Sequence, residues 1–501
     1  MRGLIKLLAL LFIFSCHSAP DIPPGSIVIG VETGPSVLDP RFATDAISSS
    51  VCGLIYGGLL RRNADMELEL DLAESIVQPH PKTYVIRLRE GVIFHNGRRL
   101  TSADVRYTFK SILDPKTASP KKSAFKQVES IETPDPLTVV ITLSEPFAPF
   151  LGNLTQGIVP EGSGDLTSHP VGTGPFKFVD YYRGQSLFLV RNAPYFRGAP
   201  KISGVLFKIL PDETVRLLEL KKGNVHIVQN PITPAVLPWL EKQEGIVVSK
   251  KTGTNVSYIG FNMEDEILGD KRVRLAIARA IDRRSIIKHM LKGLAVETNS
   301  LLAPVNRFFD GTIKQVEYNP AEAKRLLDEA GYKEKPGGKP RFKLSYKTSK
   351  NPTRKKIAEI FAQQLSEVGI EIEIKSFEWG TFFSDIKRGN FQLYSLTWVG
   401  IADPDIYYYI FHSKSVPPDG ANRGHYSNSV LDGLLEEGRK EMNFEKRAET
   451  YRQVQRIIAV DMPYVYLWLS VNVAAMSDRV KGFEIYPDES LDSLARVTLK
   501  N

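Results

Sequence analysis

Hydrophobic positions switch between period two and period 3.6 along most of this chain. Thr83–Leu88 reads TYVIRL, and its alternation predicts a strand with one buried face. Thr101-Ser102-Ala103-Asp104 follows, with a hydroxyl at a helix start and an acid three residues on. That spacing forms a capping box, so a helix is expected over VRYTFKSIL. Between Asp270 and Asp282, Val273, Ala276, Ile277, Ala280 and Ile281 make one apolar helix face with arginines opposite. Asn319 and Pro320 open another helix that runs to Ala330 and stops at Gly331. A third spans Lys355 to Val368 and ends at Gly369. Ile370, Ile372 and Ile374 then alternate with Glu371 and Glu373 in a strand, which gives half of a βαβ unit. KPGGKP at Lys335–Pro340 is a surface loop by its turn chemistry. The mixture predicts α/β lobes. With 501 residues, two or three lobes are expected.

The N-terminus changes the picture of compartment. Arg2 and Lys6 precede an unbroken apolar run from Leu7 to Phe14. The run is too short to cross a bilayer but suits the core of a signal peptide. Ile13-Phe14-Ser15-Cys16 resembles the bacterial lipobox, although Phe14 is bulkier than usual there. The resemblance implies cleavage before Cys16 and a lipid on its sulfur; the alternative is a plain secretory signal. Cys52 would then have no partner and is expected as a buried free thiol. No later stretch holds about 18 consecutive apolar residues, so a body tethered by lipid is expected. Net charge is +8, and +6 without Arg2 and Lys6. Basic pairs such as Arg283-Arg284 and Lys355-Lys356 sit in amphipathic helix patterns, which favours solvated faces over a nucleic-acid stripe.

Catalytic signatures do not appear. HExxH, GxSxG and a Gly-rich loop ending in Gly-Lys-Ser/Thr are all missing. None of the eight histidines pairs with another at i, i+4, so no metal site and no cofactor are expected. His412 and His425 could serve a metal or polar ligand, or stand as partly exposed loop residues. Asp403 and Asp405 flank Pro404 and could do acid–base work, but such acids form turns by bonding their own backbone.

Several segments, taken in order, carry a resemblance. IRLREGVIFHNGRRLTSADVRYTFKSIL (Ile86 to Leu113) and HPVGTGPFKFVDYYRGQSLFLVRNAPYF (His169 to Phe196) come first. NVSYIGFN, KRVRLAIARAIDR, YNPAEAKRLLDEAGY, NRGHYSNSVLD and the segment from Lys446 to Pro463 follow. The set resembles the extracellular solute-binding proteins of family 5, the peptide/nickel class that serves ATP-binding-cassette importers. The resemblance implies a type II periplasmic-binding-protein fold: two α/β lobes, a hinge and an inserted subdomain. In this sequence that implies a signal over 1–15, first-lobe segments 16–47 and 167–262, and an inserted subdomain over 48–166. The second lobe would span 263–465, and 466–501 would return through the second hinge to the first lobe. The crossings are expected near Lys251–Asn262 and Tyr466–Arg479.

It also implies a monomeric protein of the cell envelope that does no chemistry. It would capture a small solute, most simply a peptide, and pass it to a permease and ATPase. A receptor or adhesin on the same fold, or a binder of a sugar or metal chelate, are the alternatives. TWVGIADPDIYYYIFHS, Thr397 to Ser413, is the candidate binding segment. Trp398, Gly400, Asp403 and Tyr408 are expected in the cleft, with Phe261, Asn262, Asn422 and Tyr426 as further ligand contacts. Asn262 could equally lock the hinge backbone. Ile406, Ile410 and Phe411 are expected in the core. Ile401 stands where peptide-binding relatives place the acid that pairs with the peptide amine. Gly172 and Gly174 of GTGPF would supply positive φ, a close approach to ligand, or a tight turn.

Overall fold

The computed structural model describes residues 22–500, so Cys16 and the signal segment lie outside the described residues. Two long strands form its axis. Ile246–Phe261 pairs antiparallel with Tyr464–Ser477, from Ile246 opposite Ser477 to Gly260 opposite Tyr464. The pairing breaks register between Thr252 and Val256. Opposite the break the return strand also loses cover: it is buried from Tyr464 to Leu469, half-buried at Ser470 and Val471, and buried again from Asn472. Strands covered on both faces read as continuous apolar runs, as YVYLWL and VAAM do.

One eleven-stranded sheet runs through both lobes. On the Ser477 side lie Ile227–Gln229, Ile27–Val31, Gly204–Ile209, Ser186–Arg191 and Phe176–Tyr182, in that order. On the Tyr464 side lie Leu393–Trp398, Phe342–Ser349 and Ile370–Phe377, with Ala295–Glu297 on the return strand. Phe342–Ser349, the helix Pro352–Ser366 and Ile370–Phe377 form a parallel βαβ unit. The expected half-unit is therefore its second half. The helix Lys271–Ala280 buries Val273, Ala276, Ile277 and Ala280 as its pattern predicts, with Asp270 as N-cap. Each fully buried Val or Ile contributes roughly 1.5–3 kcal/mol.

A four-stranded antiparallel sheet, ordered Ala73–His80, Thr83–Leu88, Thr138–Leu143 and Val128–Asp135, stands apart. The helix Ser102–Leu113 covers it with Val105, Phe109 and Ile112. Asp104 is fully buried, accepts from the Thr101 N–H at 2.8 Å and from the Glu161 N–H at 2.7 Å, and pairs with Arg98. The core of this unit draws on residues from Leu59 to Ile158. The expected boundary at 48 cuts the helix Ala46–Ile55, whose Val51, Leu54 and Ile55 pack in the first-lobe core with Val159 and Leu166. Apolar continuity, not chain order, decides where that helix belongs. Cys52 is a buried free thiol in the same core, and burial pushes it up to about 12.

Candidate functional site

Two of the quoted signatures converge on one carbonyl. The Gly174 oxygen accepts from Asn192 Nδ2 at 2.9 Å and meets His95 Nε2 at 3.1 Å. The His95 backbone N–H donates to the Gly172 carbonyl at 2.8 Å, and the Gly174 N–H donates to the Ile55 carbonyl at 2.8 Å. The two glycines are demanded by close approach rather than by positive φ. A Cβ at Gly172 would lie 2.0 Å from the Ile55 oxygen, and one at Gly174 would lie 2.5 Å from the Leu54 oxygen. Burial pushes His95 down to about 4, so the ring is neutral and Nε2 donates. This knot joins the end of the helix Ala46–Ile55 to the base of the inserted subdomain.

At the register break a chamber of about 650 Å³ opens between the lobes. The first lobe contributes Val31, Glu32, Thr33 and the start of the helix Ala46–Ile55. The crossing strands contribute Asn255, Ser470, Val471 and Asn472; the second lobe contributes Leu291, Leu294 and Thr353. Its charged lining is Glu32, Asp45 and Glu489, with no Lys or Arg. Asp45 caps its helix through the Ser48 N–H at 2.8 Å and accepts from Ser36 Oγ at 2.6 Å. Those two serines hold its carboxyl below the usual range against a burial effect that raises it. Glu489 Oε1 accepts from Asn255 Nδ2 at 3.3 Å, and Asn255 Oδ1 accepts from the Gly400 N–H at 2.9 Å. An acid on the first-lobe side is thus connected through a hinge asparagine to the second lobe.

The segment Thr397 to Ser413 packs against the second lobe and faces the inserted subdomain. Trp398 is half-buried, parallel to Tyr258, with the Arg423 guanidinium 4.9 Å from its ring centre. Gly400 is exposed at φ +66°. Asp403 accepts two bonds from Arg447, at 2.7 and 3.1 Å, and also takes the Asp405 N–H at 2.8 Å, the turn role foreseen for it. Asp405 lies 2.9 Å from Arg439 Nε. The Arg439 guanidinium also lies 3.9 Å from the Tyr408 ring centre and 5.2 Å from that of Phe147, which belongs to the subdomain core. The Ala148 N–H donates to the Arg439 carbonyl at 2.8 Å.

The sequence profile of the bacterial extracellular solute-binding proteins, family 5 Middle, matches residues 67–418. The chain belongs to this family. It is 28% identical over 499 residues to the oligopeptide-binding protein AppA of Bacillus subtilis, covering 94% of this chain and 91% of AppA. The structure of AppA in complex with a nonapeptide matches at TM-score 0.77 and 27% identity, over 95% of this chain and 99% of that one. Heme-binding protein A of Haemophilus influenzae is 29% identical, covering 86% of this chain and 84% of its own. The ABC transporter substrate-binding protein CtaP of Listeria monocytogenes matches at TM-score 0.86 and 26% identity, over 95% and 99% of the two chains.

For a solute-binding protein of this family, the expected contacts divide sharply. Phe261 is fully buried in a second-lobe core with Leu268 and Ile277. Asn262 locks backbone, donating to the Phe391 carbonyl at 3.1 Å and accepting the Glu264 N–H at 3.0 Å. Asn422 is buried and ties the His412 and Tyr426 carbonyls. Tyr426 is buried and donates to Asp461 at 2.6 Å. Phe261, Asn422 and Tyr426 are corrections, since their polar groups and rings are spent inside the second lobe, while Asn262 takes the backbone-locking role that was the alternative expected for it. His412 is also buried, stacked on Tyr408 and 3.2 Å from Glu436, not a partly exposed loop residue. His425 pairs with Glu264 at 2.9 Å. Among the described residues no cluster of His, Cys, Asp or Glu has the arrangement of a metal site. Ile410 and Phe411 are core as expected, Ile406 is half-buried, and Tyr407, Tyr408 and Tyr409 run from buried to exposed.

Glu32, Asp45 and Glu489, the acids that line the chamber, were not among the expected contacts. A signal for the first existed: Glu32 directly follows the strand Ile27–Val31, and ligands in open α/β sheets gather at the carboxyl ends of strands. Glu489 sits in YPDES, a turn with no apolar periodicity, and only folding brings it beside Asn255.

Proposed function

We propose that this protein captures a short peptide in the chamber at its hinge and delivers it to an ATP-binding-cassette permease. A positively charged group of the ligand sits against Glu489. A lipid on Cys16 holds the protein at a membrane of the bacterial envelope, and it works as a monomer. The observation that carries the ligand reading is the chamber's charge: three acids and no base line a space of about 650 Å³. That volume falls within the range of small-molecule sites. A cation about 4 Å from Glu489 gains about 4 kcal/mol at an effective dielectric of 20, before its own desolvation. Asp403 does not fill the place vacated at Ile401, because Arg447 already neutralises it. AppA supports the peptide class, since its structure holds a nonapeptide.

The test is retention of peptides. The purified protein is incubated with a pool of random tripeptides and with the same pool N-acetylated, and bound species are released under denaturing conditions and identified by mass. Retention of the free-amine pool, with affinity lowered about tenfold in Glu489→Gln at unchanged stability, is the expected result. Retention of neither pool, while sugars or metal chelates raise the melting temperature, would end the peptide reading.

A further inference from the structure

Beside the hinge chamber lies a second cavity of about 490 Å³. Ser50 lines both. The loop that follows Pro487 divides them by alternation: Glu489 and Leu491 face the hinge chamber, while Asp488, Ser490 and Asp492 face the second cavity. Arg61, Arg62, Arg197, Arg496 and Asp71 complete its charged lining. Most of these charges are matched. Arg61 pairs with Glu69 at 2.8 Å, Arg197 with Asp71 at 3.3 Å and Arg496 with Glu484 at 3.4 Å.

Three charges are left over. Arg62 donates from Nη1 to the Met66 carbonyl at 3.1 Å and forms no ion pair among the described residues. Asp488 accepts the Ser490 N–H at 3.1 Å and forms none either. Asp492 likewise has no ion-pair partner among the described residues, although the Ser490 hydroxyl hydrogen-bonds its carboxyl and the Arg61 charge acts on it from a distance. Burial pushes Arg62 down and both acids up, Asp492 to about 6. Arg62 and Asp488 act on each other electrostatically without touching. The second acid near Arg62 is Asp403, which Arg447 already holds.

We propose that this cavity binds the head group of an α-amino acid, its carboxylate on Arg62 and its ammonium between Asp488 and Asp492. A guanidinium fork matches a carboxylate in two parallel bonds. All three side chains are half-buried at the cavity, and a partly desolvated charge gains from a partner. A simple anion would satisfy Arg62 and leave two carboxylates facing it. A simple cation would satisfy the acids and leave Arg62 alone. A zwitterion supplies both partners and leaves net charge unchanged. Tyr56, Leu60 and Tyr195 offer the side chain a partly apolar wall. This site stands on its own charges and does not depend on the peptide reading of the hinge chamber.

Three matched probes test it by calorimetry on the purified protein: L-leucine, L-leucinamide, which lacks the carboxylate, and 4-methylpentanoate, which lacks the amine. Saturable leucine binding, about tenfold or more tighter than either analogue, is expected, and Arg62→Gln and Asp492→Asn each weaken it by a similar factor. Gly53→Leu probes the space without removing a charge. Gly53 lines the cavity, and a Cβ there meets only Asp492 Oδ1, at 3.5 Å, so the added side chain enters the cavity and blocks leucine. Equal binding of leucine and one analogue overturns the proposal, as does the absence of saturable leucine binding up to about 20 mM. The wild-type comparison decides the matter even where a variant fails to fold. Leucine binding without tripeptide retention upholds this site and removes the peptide reading; the reverse removes this site alone.

Discussion

The knot around Gly174 and the segment Thr397 to Ser413 are both dense in distinctive residues, yet they are built on different physics. In the knot, backbone meets backbone, and the only tolerance is the missing side chain of a glycine. In the segment, arginines lie across aromatic rings and carboxylates, and no single contact is so close. The difference teaches that a recurrent motif and a ligand site need not coincide. GTGPF, the Asn192 motif and His95 hold the subdomain onto the first lobe, while of the residues lining the hinge chamber only Asn255 belongs to a quoted signature. Gly172→Ala tests the first half of this contrast. Its Cβ would stand 2.0 Å from the Ile55 oxygen, where only backbone movement can relieve it. A loss of at least about 4 kcal/mol is expected by urea unfolding. A loss under about 1 kcal/mol would mean the two backbones separate easily, and the knot would lose its special status.

The segment should instead reveal itself through pH. Burial pushes Asp405 up to about 6, against the pull of Arg439 and with help from the Asp403 charge; Arg447 opposes it further. Its ordinary value is 3.8. The folded state therefore keeps this proton longer than the unfolded chain does. Between those two values the unfolded chain binds fewer protons, so this group's contribution to stability falls as pH rises through the window. The change is at most about 3 kcal/mol, from two pH units at 1.36 kcal/mol each. Asp405→Asn removes the titration, and urea unfolding at about pH 4.5 and about pH 7 should show a flatter profile than wild type. An identical profile in the Asn variant would assign the pH response elsewhere.

The two regions also differ in how far sequence could describe them. Periodicity found the strand Thr83–Leu88, the helices at 102–113, 271–280 and 320–329, and the second half of the βαβ unit, because each is a local pattern with one dominant apolar face. The resemblance supplied the two-lobed fold. The cleft was much less legible. Phe261 and Tyr426 look like ligand-stacking rings in a string of letters; only tertiary packing shows the first in a core and the second bonded to Asp461. Asn422 binds carbonyls ten and four residues away, a local loop role that a polar residue in a motif does not announce. Conversely, Glu489 acquires its meaning from Asn255, 234 residues earlier. Charge pairing across such distances has no period to read.

Arg447→Met is the finest probe of the contrast, since it separates locking from binding within one segment. Arg447 is 7% exposed and Asp403 29%, so the carboxylate can regain some water when its partner goes. The substitution also removes the bond from Arg447 Nε to the Gly438 carbonyl at 2.9 Å and the approach to Phe308 at 5.0 Å, while methionine refills much of the volume. The full cost of breaking a buried pair is therefore not reached, and about 2 kcal/mol is expected by urea unfolding. The binding readout carries the sharper information. With Arg447 gone, Asp403 loses its bonded cation and keeps only the Arg62 charge acting from a distance, a few residues beyond Ile401. If Asp403 could serve as amine anchor, Arg447→Met would tighten retention of the free-amine tripeptide pool. If Glu489 is the anchor, retention stays at the wild-type level while stability drops. A gain in affinity would move the cationic subsite from the hinge loop to the second lobe and restore to the aromatic segment the role its residues suggest.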